Sequence, residues 1–158
     1  MLTFTIPGTP VGWKATGYNR ARGTRYTRSP MRLFMERTRQ AYQQVVDEQG
    51  VDLTGYSGRV RLSLVVYYSI PKSWPRGRRA AALTNSEPCC LTPDYTNVAK
   101  AVEDALTGHA YADDCQVVPG RHCDKLYGEP RVIVQLTYPD FSPTVKVGHG
   151  SAPQGSNA

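Results

Sequence analysis

Five carboxylates stand within residues 93–118: Asp94, Glu103, Asp104, Asp113 and Asp114, out of thirteen acidic residues in a chain of formal net charge +6. Acid gathered in one short stretch of a basic chain points to a task for negative charge. The chemistry that fits is holding a hard divalent cation, because Mg²⁺ takes oxygen ligands, usually one or two carboxylates completed by water and phosphate. Lys100 stands among them, and a cation beside a metal can stabilise developing charge or steer a proton. Each residue also has a plainer reading. Asp94 is a helix cap, Asp113-Asp114 a turn before a strand, and Lys100 with Asp104 an i, i+4 surface pair. Taken singly, the plainer readings win; taken as a set, the residues favour a site.

Such a set needs elements to carry it. Val98, Ala101, Val102, Ala105 and Leu106 recur at i, i+3, i+4, i+7 and i+8, the apolar stripe of a helix. Its start is either Thr92 as cap with Pro93 in the first turn, or Asp94 as cap; Gly108 supplies a stop. At about 100° per residue, Asn97, Lys100 and Asp104 line one polar flank. Asp113 and Asp114 follow a short turn and lead into Gln116-Val117-Val118, read as a strand. A helix packed on a sheet is then expected to bring Asp94, Lys100 and the Asp pair together.

The string Pro93-Asp94-x-x-Asn97-x-x-Lys100-x-x-x-Asp104-Ala105-Leu106, followed after a gap by Asp113-Asp114-x-Gln116-Val117, resembles the signature of the RusA family. Phe4–Val11 and Gly128–Val134 are similar to family segments too, so the resemblance runs from about residue 2 to about residue 138. It implies a small phage or bacterial Holliday junction resolvase: a metal-dependent endonuclease acting on branched DNA as a homodimer, using Mg²⁺ with Mn²⁺ as a substitute. It implies Asp94 and Asp114 as metal-binding carboxylates and Lys100 as the essential cation. Asp113 either ligates or supports, and Asn97 orients the loop. The chain departs from the pattern at Thr96, where the better-known motif has a carboxylate. Three outcomes are open. Thr96 acts through a water while Asp94 and Asp114 suffice; Asp104 or Asp113 takes over; or the protein binds branched DNA without cutting it.

The charge distribution agrees with a polyanionic partner. A net charge of +6 and a pI near 9.3 point to nucleic acid first. Lys14, Arg20, Arg22, Arg25, Arg28, Arg32, Arg37 and Arg39 form one basic stretch with a single acid, Glu36; Lys72, Arg76, Arg78 and Arg79 form another with none. Lys14, Arg20, Arg22, Arg25 and the second stretch are the expected phosphate contacts. Trp13, Tyr18 and Tyr26 either stack on bases or tuck into the core. Arg32, Arg37 and Arg39 are either a solvated helix face or an extension of the DNA patch.

Other chemistries lose their usual markers. There is no G-x-x-x-x-G-K-[ST] or G-x-G-x-x-G, so no nucleotide cofactor is expected, and no G-x-S-x-G elbow. The four cysteines include no C-x-x-C, which argues for reduced thiols rather than a zinc site; Cys115 is read as small apolar filling. No apolar run approaches the roughly 20 residues of a bilayer span, and no signal peptide is apparent. The expected location is the cytoplasm of a bacterial or phage-infected cell, with no membrane partner.

The remaining pattern completes the expected fold. A strand covers 2–6, a loop or loose hairpin 12–28, and a helix runs from Ser29 to about Gln49, stopped by Gly50. Strands follow at 60–70, near 115–125 and at 131–138, with a short helical piece at 78–83 and a linker at 84–93. This is an α+β fold, a mixed sheet of about four strands with two main helices. It forms one domain over 1–139, with a disordered tail at 140–158 in which His149 is inert.

Overall fold

Leu2, Phe4 and Ile6 are buried while Thr3, Thr5 and Pro7 are exposed, so β1 (Leu2–Pro7) is a strand with one face on the core. The same alternation marks β6 (Arg131–Thr137), where Val132, Val134 and Leu136 are buried. In β4 (Val60–Tyr68) the inward set is Val60, Leu62, Leu64, Val66 and Tyr68. These three strands and β5 (Val117–Tyr127) form one sheet in the order β1-β6-β4-β5. β1 and β4 both pair antiparallel with β6, while β5 pairs parallel with β4 at the edge.

The computed structural model describes residues 1–15, 17–26, 29–53 and 56–141, with the backbone alone at 17–19, 25 and 26. Arg28 and residues 142–158, almost all of the expected tail, lie outside the described residues.

One layer of helices covers one face of the sheet. α1 (Ser29–Gln49) buries Met31, Phe34, Thr38, Tyr42 and Val45 and packs on β1 and on α3 (Tyr95–Leu106). Thr38 is a polar residue in the core, satisfied by donating to the Phe34 carbonyl at 2.8 Å. The inward faces of α3 and the sheet form one apolar cluster, with α3 contributing Val98, Ala101, Val102 and Leu106. A short α2 (Arg76–Leu83) precedes the linker to α3. The 12–28 stretch contains a small antiparallel hairpin, β2 (Gly17–Asn19) with β3 (Thr24–Tyr26).

The expected α+β architecture holds, with three differences. A 3-10 turn, Asp114–Gln116, sits where a strand was expected to begin. Cys115, inside that turn, is exposed rather than core filling, because the tight turn directs it outward. Phe141 packs edge-on against Tyr56 and Tyr138, so the packed body reaches past residue 139.

Candidate active site

Asp94 caps α3. Its Oδ1 accepts from the Asn97 N–H at 2.9 Å and from the Thr96 hydroxyl at 3.3 Å. The chain enters the cap through a cis Thr92–Pro93 peptide. It is tied to the sheet by the Tyr68 hydroxyl, which donates to the Pro93 carbonyl at 2.6 Å, and by the Lys125 ammonium, which donates to the Leu91 carbonyl. Tyr68 is pushed up to about 12, by burial first and then by the fields of Cys89 and Asp94. The segment after β1 is docked on the same helix turn. The Trp13 N–H donates to the Asn97 carbonyl at 2.7 Å. Gly12 lies so close that a Cβ there would meet Pro93 Cβ at 2.6 Å and Asn97 Cβ at 3.2 Å. Lys100, two turns into α3, rests its ammonium 4.4 Å from the centre of the Trp13 ring, a cation–π contact, instead of closing an ion pair with Asp104.

The far end of the flank is acidic. Glu103 is half-buried, and its carboxyl is raised above the ordinary range by burial first, then by the charges of Asp104 and Asp114, with Lys100 opposing. Asp94 stands nine residues before Glu103, about 14 Å along the helix axis at 1.5 Å per residue. Lys100 lies between the two acidic ends.

Tyrosines and one glutamine hold the acidic turn in place. The Tyr111 hydroxyl donates to the Glu103 carbonyl at 3.0 Å and Tyr42 donates to the His109 carbonyl at 3.3 Å, fastening the chain as it leaves α3. Gly108, at φ +78°, allows the reversal. Asp113 then caps the 3-10 turn, accepting from the Cys115 N–H at 2.9 Å. That backbone bond holds its carboxyl below the usual range. Gln116 closes a capping box: its Oε1 accepts from the N–H groups of Ala112 and Asp113, while its Nε2 donates to the carbonyls of Tyr56 and Gly58. Asp114 is left exposed at the head of the turn.

A family model described as endodeoxyribonuclease RusA matches residues 7–137. The chain belongs to the RusA family. No curated protein matches it. The matched span contains the whole flank from Asp94 to Asp114, and membership in RusA carries with it nuclease activity on DNA.

Among the described residues, no group of three or more His, Cys, Asp and Glu side chains is arranged as a metal cage. The five carboxylates of the RusA flank offer oxygen donors of the kind that Mg²⁺ and Mn²⁺ take. The arrangement fits an open site, in which one or two carboxylates hold the ion and water and phosphate complete its shell.

The basic residues divide by what they touch. Lys14, Arg20, Lys72, Arg76 and Arg79 are exposed, as is Arg22; the Arg25 side chain lies outside the described residues. Arg78 is engaged, stacked 3.6 Å from the Trp74 ring centre and bonded to Glu87 at 2.6 and 2.9 Å. Arg37 donates to the Pro7 carbonyl at 2.8 Å, and Arg39 to the Ala105 carbonyl at 3.0 Å. The last of these is a cationic C-terminal cap for α3, so two of the arginines on α1 fasten the fold. Sequence reasoning counted Glu103 only as one of five clustered acids and Gln116 only as a letter of the motif string, and it did not foresee the Trp13–Lys100 contact.

Proposed function

We propose that the chain is a divalent-metal-dependent endonuclease that resolves Holliday junctions or related branched DNA, acting as a homodimer. The observation that carries this reading is Lys100, held on the Trp13 ring along the flank of α3 that Asp94 caps and that also bears Glu103 and Asp104. Asp94 would hold the ion at the head of α3, and Asp114 would join it only where the turn fixed by Asp113 and Gln116 reaches back along the flank. A divalent ion held there would supply an activated water and neutralise charge on the scissile phosphate. Lys100 stabilises the charge that develops on the phosphate oxygens. Thr96, in the position of a motif carboxylate, donates to Asp94 and so helps orient the acid that remains. Lys14, exposed and next in sequence to Trp13, would add a cation for the DNA backbone. Two-fold symmetry matches a substrate with two equivalent strands to cut.

The second reading is a branched-DNA binder with weakened cutting, favoured by the neutral Thr96. A synthetic four-way junction incubated with Mg²⁺, with Mn²⁺ and with EDTA separates the two. Paired, metal-dependent nicks on the junction and none on linear duplex are expected, falling by about 10²–10³-fold in Lys100→Ala, the usual cost of removing one transition-state donor. A junction that is bound but uncut in either metal would establish the binder, and Thr96→Asp would then be expected to introduce cutting.

A further inference from the structure

The face of the sheet turned away from α1 and α3 carries a second constellation of donors. Arg61 and Ser63 on β4 lie directly across from Thr137 and Gln135 on β6. On the other side of β4 the pairing with β5 breaks its register between Leu62 and Leu64, so that residues 120–122 bulge past Ser63. Gly120 makes this possible: a Cβ there would stand 1.9 Å from Ser63 Oγ and 3.0 Å from the Leu62 carbonyl. The bulge turns Arg121 and His122 toward the same space, as bulges re-aim side chains at functional sites. The result is a cavity of about 270 Å³ lined by these side chains, with no carboxylate among them.

Arg61 gives the cavity its meaning. Its Nε is buried and has no hydrogen-bond partner among the described residues. A buried guanidinium N–H without an acceptor is unfavourable until an acceptor arrives. The Ser63 oxygen accepts from the His122 N–H at 3.5 Å, which leaves its own proton to donate. The Gln135 amide, the Thr137 hydroxyl and the Arg121 guanidinium are further donors. Two arginine forks with surrounding neutral donors match a tetrahedral oxyanion, since guanidinium binds phosphate in pairs of hydrogen bonds.

We propose that this cavity is a phosphodiester site, taking a backbone phosphate of DNA outside the cleavage flank. Arg121 lies seven residues beyond Asp114, within about 24 Å even for fully extended chain. Phosphates recur every few ångströms along a strand, so one DNA molecule can reach both places. The substrate class rests on the nuclease reading above; the anion site itself does not.

The test is junction binding by fluorescence anisotropy without divalent cation, read as affinity and as the slope of log affinity against log salt. Arg121→Ala, an exposed substitution, is expected to weaken binding about five- to tenfold and to lower the slope by about one. Arg61→Lys, which keeps the charge but loses the fork, is expected to weaken binding without altering the slope. In parallel, the Arg61 Nε–H resonance is followed during addition of inorganic phosphate and of a short duplex, and both should shift it. Unchanged affinity and slope in both variants overturns the proposal. So does a resonance that answers inorganic phosphate while Arg121→Ala binds DNA as the parent does, which would mark a free-phosphate site. If the parent protein binds no DNA, the nuclease reading fails with it, and that arm is read before any variant.

Discussion

Asp94 serves two masters, and the two can be separated. As the N-cap of α3 it contributes about 1 kcal/mol, and Asn caps as well as Asp while Ala does not. Asp94→Asn should therefore abolish metal-dependent cutting with thermal stability unchanged, whereas Asp94→Ala should lose cutting and about 1 kcal/mol together, read by denaturant melts. Equal destabilisation by both substitutions would show that the carboxylate's charge, not its cap, holds the helix. Glu103 poses a different case. Its carboxyl is raised in the folded state by burial and by Asp104 and Asp114, so the ionised form destabilises the fold. That penalty is complete above the raised value, shrinks as pH falls through it and vanishes below the ordinary carboxylate range. Glu103→Gln should melt higher than the parent at pH 7 and equal to it near pH 3. Asp94 was legible in the sequence, both as cap and as ligand candidate. Glu103 was legible as one of the clustered acids but its burial was not, because that depends on Tyr111 returning over the last turn of α3.

At the scale of elements, the head of the flank is made where two pieces of chain meet, the segment after β1 and the start of α3. Gly12 is the tightest point of that meeting. Gly12→Ala should push the segment off α3, costing about 1–3 kcal/mol as overpacking does and reducing cutting along with it. Melting curves and the emission of Trp13 report both effects; unchanged emission would mean the loop adapts in place. The helix itself was legible from its apolar period. The 3-10 turn was not, since three residues are too few to show a period, and Cys115 was misread for that reason. Arg37 and Arg39 were read as solvated or DNA-facing because their partners, the carbonyls of Pro7 and Ala105, are remote in sequence. The parallel pairing of β4 with β5 was equally invisible, since nothing in either strand's alternation names its neighbour.

Across the whole molecule, protection is uneven. β4 and β6 are central and buried along one face, while β5 lies at the edge with Arg121 to Asp124 exposed. Hydrogen exchange should find the slowest amides in β4 and β6, opening only with global unfolding, and residues 120–124 faster by orders of magnitude. Residues 120–124 as slow as β6 would mean that a partner covers this edge in solution.

The last strand of the sheet is also one of its two middle strands. Among the described residues β1 pairs with β6 alone, and β4 reaches β1 only through it. A growing polypeptide therefore carries its basic stretches and its acidic motif out of the ribosome well before the keystone that seats them exists. A product that stops short of Arg131 has two strands with nothing between them and no surface on which α3 can settle. Chains cut short of Arg131 should therefore fail to fold and to cut DNA.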